Sequence, residues 1–334
     1  MPRREPPELS IVVPLLDEQE NLAELHRRIS STIDDLGITA EIVLIDDGSR
    51  DATPRLMDAL AARDPRVVAI HLTRNFGHQA AVTAGIDHAR GRAVVVMDAD
   101  LQDPPELIGD FVRLWRAGHD VVYAVRARRR EGLFKRAAYS LFYRLLNAIG
   151  DVDIPRDSGD FCLMDRRVVE ALKSLPERVR FVRGLRAFVG FRQVGLSYDR
   201  PGRERGETKY SLRKLVALAM DGLVSFSARP LRLVTTLGIA AATVALMLTC
   251  WVVADAIAMK SAPRGWASTI VVVLFMGSVQ LVSLGVIGEY IRLIFLETKG
   301  RPTYLVRDRR EAPAERAEVA VTAKFEPRRD RKAS

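Results

Sequence analysis

Four short apolar runs punctuate the first hundred residues: 9–13 (LSIVV), 41–45 (EIVLI), 67–72 (VVAIHL) and 93–97 (AVVVM). They are rich in β-branched residues, and three of them stop abruptly, at Pro14, Asp46 and Asp98. Bounded runs that are apolar on both faces predict buried parallel strands. Stretches of helical character lie between them, at about 18–36, 52–63 and 77–90. Strand and helix alternate, which predicts a doubly wound α/β sheet. In open sheets of this kind ligands bind beyond the carboxyl ends of the strands, where the acidic residues cluster here.

The pattern then changes. Residues 120–210 are irregular and rich in arginine, and 210–228 read as an amphipathic helix with Arg213, Lys214 and Asp221 on its polar side. Residues 233–254 and 267–288 are each 22 residues without a charged side chain. Each could cross roughly 30 Å of hydrocarbon. A pair of buried core helices would give the same runs, but two so long and so closely spaced predict a transmembrane hairpin. Lys260 and Arg264 lie in its connecting loop, while Lys209, Arg213, Lys214, Arg229 and Arg232 precede it and Arg292, Lys299, Arg301 and Arg307 follow. The excess of basic flanks puts both termini in the cytoplasm. The expected organisation is therefore a cytosolic catalytic domain over 1–209, an amphipathic juxtamembrane helix over 210–230, two transmembrane helices over 231–297 and a cytosolic tail over 298–334. The charged, Ala/Pro-rich stretch from about 308 is expected to be disordered.

Composition narrows the function classes. The 334 residues carry 51 Lys+Arg against 42 Asp+Glu, a net charge of +9. A basic balance suits nucleic acid, an anionic membrane surface or phosphorylated substrates. Basic segments that flank a membrane hairpin argue against nucleic acid. Cys162 and Cys250 stand alone, with neither CxxC nor metal-ligand spacing, so a zinc site or disulfide framework is not expected. The opening MPRREPPELS has no apolar h-region, so no signal peptide is expected.

The sharpest chemical signal is Asp98 and Asp100, one residue apart after the fourth run. Two carboxylates so placed can share one Mg²⁺ or Mn²⁺ and leave coordination sites for substrate phosphates; the cation would offset charge on a diphosphate leaving group. Asp46 and Asp47, in IDDGS, could accept hydrogen bonds from a nucleobase or ribose, or could form an Asx-turn with Ser49 or Asp51 capping the next helix. Pro14 to Glu18 (PLLDE) is a weaker case of the same kind. Arg126, Arg128, Arg129, Arg130, Lys135 and Arg136 form one basic segment, and Arg203, Arg205 and Lys209 another. They suit substrate phosphates or anionic lipid. Asp157 and Asp160, in DSGDF, could serve as a base, hold sugar hydroxyls, or simply cap a turn.

With these residues in view, PLLDE (14–18), IDDGS (45–49), LTRNFG (72–77), MDADLQDPPE (97–106) and GETKY (206–210) resemble the family 2 inverting glycosyltransferases. The resemblance is to dolichol-phosphate mannose synthases and bacterial polyprenyl-phosphate glycosyltransferases of cell-envelope glycan biosynthesis, over about 8–305. It implies a GT-A fold, with Asp98, Asp100 and Gln102 holding the divalent metal and Pro14, Glu18 and Asp46 lining the nucleotide pocket, Asp47 and Arg74 being possible additions. It implies that Arg126 contacts a donor or acceptor phosphate and that Arg205 and Lys209 sit on a loop closing over the site. Leu16 and Asp17 stand where relatives often carry Tyr and Asn, which leaves nucleotide preference open.

The expected reaction moves a hexose from a nucleotide-sugar, UDP-glucose before GDP-mannose, to a polyprenyl phosphate at the inner membrane. The anomeric carbon passes through an oxocarbenium-like state and inverts. A phosphate monoester is already largely ionised at neutral pH, its second pKa being about 6, so a strong base is less needed than for an alcohol. The resemblance also suggests a homo-oligomer, a tetramer. A processive polysaccharide synthase would bring more membrane spans and a QxxRW motif, and this chain has no QxxRW. A non-catalytic nucleotide-sugar-binding membrane module would be marked by a broken DxD motif; this one is intact.

Overall fold

A computed structural model describes residues 5–126, 158–178, 180–198 and 265–311, with scattered positions between 231 and 254. The chain divides into two compact units. One comprises Met1–Ala137, Ile154–Lys209 and Pro302–Ser334, the other Ala138–Asp153 and Tyr210–Arg301.

The first unit is built on an eight-stranded sheet. Its centre is the four expected strands, β1 (Leu9–Leu15), β2 (Ala40–Asp46), β3 (Val67–Leu72) and β4 (Ala93–Val96). β1 pairs in parallel with both β2 and β4, and β2 with β3. Nearly every residue in these strands is buried, as their continuous apolar runs require. Helices α1 (Leu22–Leu36), α2 (Thr53–Arg63) and α3 (His78–His88) alternate with them. Odd positions of β1 (Leu9, Ile11, Val13 and Leu15) join α1, α2 and α4 (Ile108–Arg116) in one core, with Phe111 of α4 packed on Phe161 at 4.7 Å between ring centroids. α3 covers the opposite face. Gly85 lies so close to Val12 there that a Cβ would come within 2.1 Å of Val12 Cγ1, which is why the residue is glycine.

The sheet is doubly wound but mixed rather than all-parallel. β5 (Val121–Arg126), β6 (Ser158–Asp165), β7 (Gln193–Tyr198) and β8 (Val306–Glu311) complete the order β7-β5-β6-β4-β1-β2-β3-β8. β6 runs antiparallel to β4 and β5, and β8 antiparallel to β3. Helices α5 (Arg166–Ser174) and α6 (Val182–Phe188) lie between β6 and β7 in the sequence.

β8 corrects the expected disordered stretch from about 308. Residues 308–311 are the body of a strand whose side chains are mostly exposed, and it covers the β3 edge. The segment is also anchored before the strand begins. Thr73 N donates to Leu305 O at 2.9 Å, and the Tyr304 hydroxyl donates to Asp87 Oδ2 at 3.0 Å. A charged edge strand has no apolar alternation to betray it, yet charge on an edge discourages pairing with other chains.

In the second unit the described secondary structure is helical. α7 (Trp266–Thr298) has 33 residues, about 50 Å of helix at 1.5 Å per residue. Its part Phe275–Thr298 is long and apolar enough to cross a membrane, with a mean hydropathy of 1.6 over an 18-residue stretch. The scattered described positions between 231 and 254 are helical too, but nine of the 22 positions of the first apolar run lie outside the described residues. So does the amphipathic stretch 210–228.

Candidate active site

The carboxyl ends of β1 and β2 lie level, with Leu15 opposite Asp46, and β4 ends beside β1 at Val96, opposite Val12. The loops that leave them are tied together. Asp17 adopts a left-handed backbone at φ 55, unusual for a residue with a side chain. It is held there by Ser49 Oγ, which accepts from Asp17 N at 3.0 Å, while Asp17 Oδ1 accepts from Arg50 N at 2.8 Å. Glu18 N donates to Thr53 Oγ1 at 2.9 Å, and Glu18 Oε2 accepts from Asn21 at 2.7 Å. Pro14 is buried within β1 beside Ile45.

Asp46 and Asp47 are both buried and both engaged from within the fold. Asp46 Oδ1 accepts from Ser49 N at 2.9 Å, which closes the Asx-turn, and Oδ2 lies 3.2 Å from His71 Nδ1. Burial opposes ionisation of Asp46, but the His71 and Ser49 hydrogen bonds outweigh it and hold its pKa below the usual carboxylate value. His71 is raised above its ordinary value, first by Asp46 and further by Asp58, whose Oδ1 is 3.0 Å from Nε2. Asp47 accepts from Phe76 N at 2.7 Å and Gly77 N at 3.0 Å, so it clamps the β3–α3 loop, and burial lifts its pKa. Gly48 at φ 74 lets this turn press on that loop, where a Cβ would fall 2.6 Å from Asn75 N. Arg74 is exposed on the loop, its guanidinium 4.0 Å from the Phe76 ring centroid.

Beyond β4 the chain turns sharply through the DADLQ segment. Leu101 takes φ 58, and Asp100 Oδ1 accepts from Gln102 N at 3.2 Å. Non-glycine residues in this region are strained and concentrate at functional sites. Asp103 is sealed beneath and accepts a hydrogen bond from the Tyr198 hydroxyl of β7. Burial lifts Asp98 to a pKa of about 6; the neighbouring charges of Asp160, Asp103 and Asp100 add to this and His78 opposes it.

The cluster around Asp98 includes two residues that sequence reasoning missed, His78 and Arg183. His78, the first residue of α3, places Nε2 3.3 Å from Asp160 Oδ2 and 3.7 Å from Asp98 Oδ1. Burial works against the imidazolium, but the hydrogen bond to Asp160 and the charges of Asp98 and Asp160 prevail and lift its pKa to about 9. Arg183 of α6 donates to Asp160 Oδ1 through Nη2 at 3.2 Å and Nε at 3.3 Å. Despite burial, Arg183 and His78 hold Asp160 well below the usual carboxylate range. Asp160 is thus an ion-paired anion, not a free base. The position of His78 just after LTRNFG was a usable signal. Arg183 had none, because its partner lies on another element.

Among the described residues no group of three His, Cys, Asp or Glu forms a complete metal site. Asp98 and Asp100 nevertheless suit a hard divalent cation. They are oxygen donors on one turn, and Asp98 keeps 31% of its side chain exposed among anions whose repulsion a cation would relieve. Gln102 is half-buried on the same turn. Arg126 ends β5, with its side chain outside the described residues, as are Asp157, Arg205 and Lys209.

Known proteins match this chain over most of its length. The sequence profile of Glycosyl transferase family 2 matches residues 10–173. An uncharacterized glycosyltransferase of Synechocystis sp. is 44% identical over 302 residues, 90% of this chain and 95% of that protein. The bactoprenol glucosyl transferase of Shigella phage SfX is 42% identical over 303 residues, 90% of this chain and 99% of its own. A prophage bactoprenol glucosyl transferase homolog of Escherichia coli is 41% identical over 300 residues, 90% of this chain and 98% of that one.

Proposed function

The chain belongs to glycosyl transferase family 2, and from that premise we propose that it moves glucose from UDP-glucose to a polyprenyl phosphate with inversion. GDP-mannose is the second candidate donor. One observation carries the proposal: relatives named for glucosyl transfer to bactoprenol match nine-tenths of this chain, and not the catalytic domain alone.

The mixed α/β domain serves as a GT-A-type frame for that chemistry. The linked loops after β1 and β2, from Pro14 to Thr53, would form one wall of the nucleotide pocket. Pro14, Glu18 and Asp46 shape that wall, while Asp47 holds the Arg74 loop against it. Asp98, Asp100 and Gln102 would hold Mg²⁺ or Mn²⁺, which when bound neutralises charge on the leaving nucleoside diphosphate. The acceptor phosphate, already anionic, needs positioning and counter-charge more than deprotonation. An Asp160 held ionised by Arg183 and His78 suits an orienting role better than a proton-abstracting one. Arg126, Arg205 and Lys209 would add positive charge around the two substrates.

The same reading places α7 and the apolar run at 233–254 in the cytoplasmic membrane as a hairpin. The catalytic domain and both termini would be cytoplasmic and the chain a homo-oligomer.

The test is direct. Purified full-length protein in detergent is incubated with polyprenyl phosphate, Mn²⁺ and a panel of nucleotide-sugars, and lipid products are read by mass spectrometry. Mass gain of one hexose with UDP-glucose is the expected result. No lipid-linked sugar from any donor would overturn the reading.

A further inference from the structure

Arg186 has no task in the account above. It is 1% exposed, its guanidinium lies 5.0 Å from the Tyr123 ring centroid, and among the described residues its Nε and Nη2 have no hydrogen-bond partner. A guanidinium stays charged at every physiological pH, and burying one without a paired anion is strongly unfavourable. The ring face and the charge of Asp160 offset part of that cost; among the described residues no carboxylate is hydrogen-bonded to it. Such a residue is a reason to look for an anion that binds beside it.

Its surroundings indicate where that anion would sit. Arg183 lies one turn earlier on the same helix, and its side chain is 20% exposed. Gln79 of α3 accepts from Val182 N at 2.9 Å, which pins the start of α6 to the start of α3. Arg183 and His78 therefore stand side by side, sharing Asp160. Asp160 and Cys162 alternate with the core residues Phe161 and Leu163 along β6, so they share the other face of the sheet, with Arg186 against Cys162. The wall beside the DADLQ turn has one permanent cation at its surface and a second beneath it, with a single carboxylate between two donors.

We propose that this wall, with Arg183 at the surface, Arg186 beneath and His78 donating from the side, is a phosphate-monoester subsite distinct from the Asp98/Asp100 pair, and that it receives the head of the lipid acceptor. The proposal rests on the transfer reading and specifies where its second substrate binds. The donor diphosphate would take its counter-charge from the cation that the DxD carboxylates hold. The acceptor phosphate must approach the same carbon, and fixed positive charge in a low-dielectric wall is what permits that. Arg183 offers the fork suited to phosphate oxygens, and Asp160 occupies the same donors until the phosphate arrives.

Calorimetry on the full-length chain in detergent separates the two phosphate sources, with farnesyl monophosphate as acceptor probe and UDP with Mn²⁺ as donor probe. Arg183→Met should weaken farnesyl monophosphate about tenfold or more and leave UDP within about threefold. Arg186→Met should act in the same direction by a smaller factor; if it does not fold, the Arg183→Met result alone decides. Unchanged farnesyl monophosphate affinity in Arg183→Met, in a wild type that binds it and transfers sugar, overturns this subsite and leaves the transfer reading intact. Equal weakening of UDP assigns the wall to the donor and also overturns it. A wild type that neither binds farnesyl monophosphate nor glycosylates it overturns both.

Discussion

His78 Nε2 lies 3.3 Å from Asp160 Oδ2, an ion pair that joins the first residue of α3 to a strand formed far later in the chain. It has a consequence for the DxD turn. His78 also stands 3.7 Å from Asp98, so the turn is bordered by a cation on one side and by Asp100 and Asp103 on the other.

Asp98 bears the cost of this arrangement. Its pKa is raised to about 6, mainly by burial. A raised carboxylate binds more protons in the folded state than in the unfolded one between its ordinary value and about 6, so folding stability falls as pH climbs through that window. Asp98→Asn removes that loss. The variant is expected to melt higher than wild type at pH 7.5 in EDTA, while its transferase rate falls about a hundredfold or more. Asp100→Asn should lose rate similarly. Full activity of either variant, with or without EDTA, would remove the DxD pair from the mechanism.

The buried Asp46–His71 pair gives a second pH signature. His71 is raised, so its contribution is fully present below about 6.5 and is lost as pH rises through its folded value. Asp46 is lowered, so its contribution is present above about 3.9 and is lost as pH falls through its folded value. The pair stabilises most between those limits. His71→Gln should flatten the decline in melting temperature on the alkaline side. An NMR titration placing the His71 midpoint at or below 6.5 would contradict the pairing.

Far from the site, Glu41 ties together the opposite ends of the strands. It accepts from Ser10 Oγ at 2.6 Å, Arg90 N at 2.6 Å and Arg90 Nε at 2.9 Å, and Ser10 Oγ accepts in turn from Gly91 N. Glu41→Gln swaps an acceptor for a donor facing those groups, at an expected cost of about 2–4 kcal/mol. The turnover per folded molecule should not change. A chemical-denaturation curve and an activity assay on the same sample separate the two effects, and a loss of turnover without loss of stability would be the wrong pattern.

How much of this could be read from the chain alone follows from where each signal resides. β1 to β4 were legible because a strand buried on both faces is apolar at nearly every position. The Asp98/Asp100 pair was legible because both ligands lie in one turn. β5 to β7 were not, since VVYAVR and QVGLSY sit amid arginine-rich sequence that masks their short apolar content. The joining of His78, Asp160 and Arg183 depends on α6 packing against α3, and no local pattern encodes that contact. Asp46 and Asp47 show the reverse case: the motif was visible, but their internal partners, His71 and the Phe76–Gly77 backbone, were not.

β8 yields the last expectation. Its residues VRDRRE supply almost no apolar burial, so its attachment depends on main-chain pairing with β3 and on Tyr304. The Tyr304 hydroxyl bonds Asp87 Oδ2, and its ring meets His88 edge-on at 6.2 Å between centroids. Tyr304→Phe keeps the ring and loses one partly buried hydrogen bond, about 1 kcal/mol. Tyr304→Ala loses the ring as well and should release the strand. β3 would then present an unpaired edge to other molecules, and Thr73, which donates to Leu305 O at the root of the Arg74 loop, would lose its partner. Hydrogen exchange should show faster exchange at Ala69, His71 and Thr73 in Tyr304→Ala, with little change in Tyr304→Phe. Because Asp47 clamps the same loop independently at Phe76 and Gly77, those two amides should stay protected in both variants. Loss of protection at Phe76 and Gly77 together with β3 would mean that the loop and the edge strand open as one unit, and that Asp47 does not hold the loop by itself.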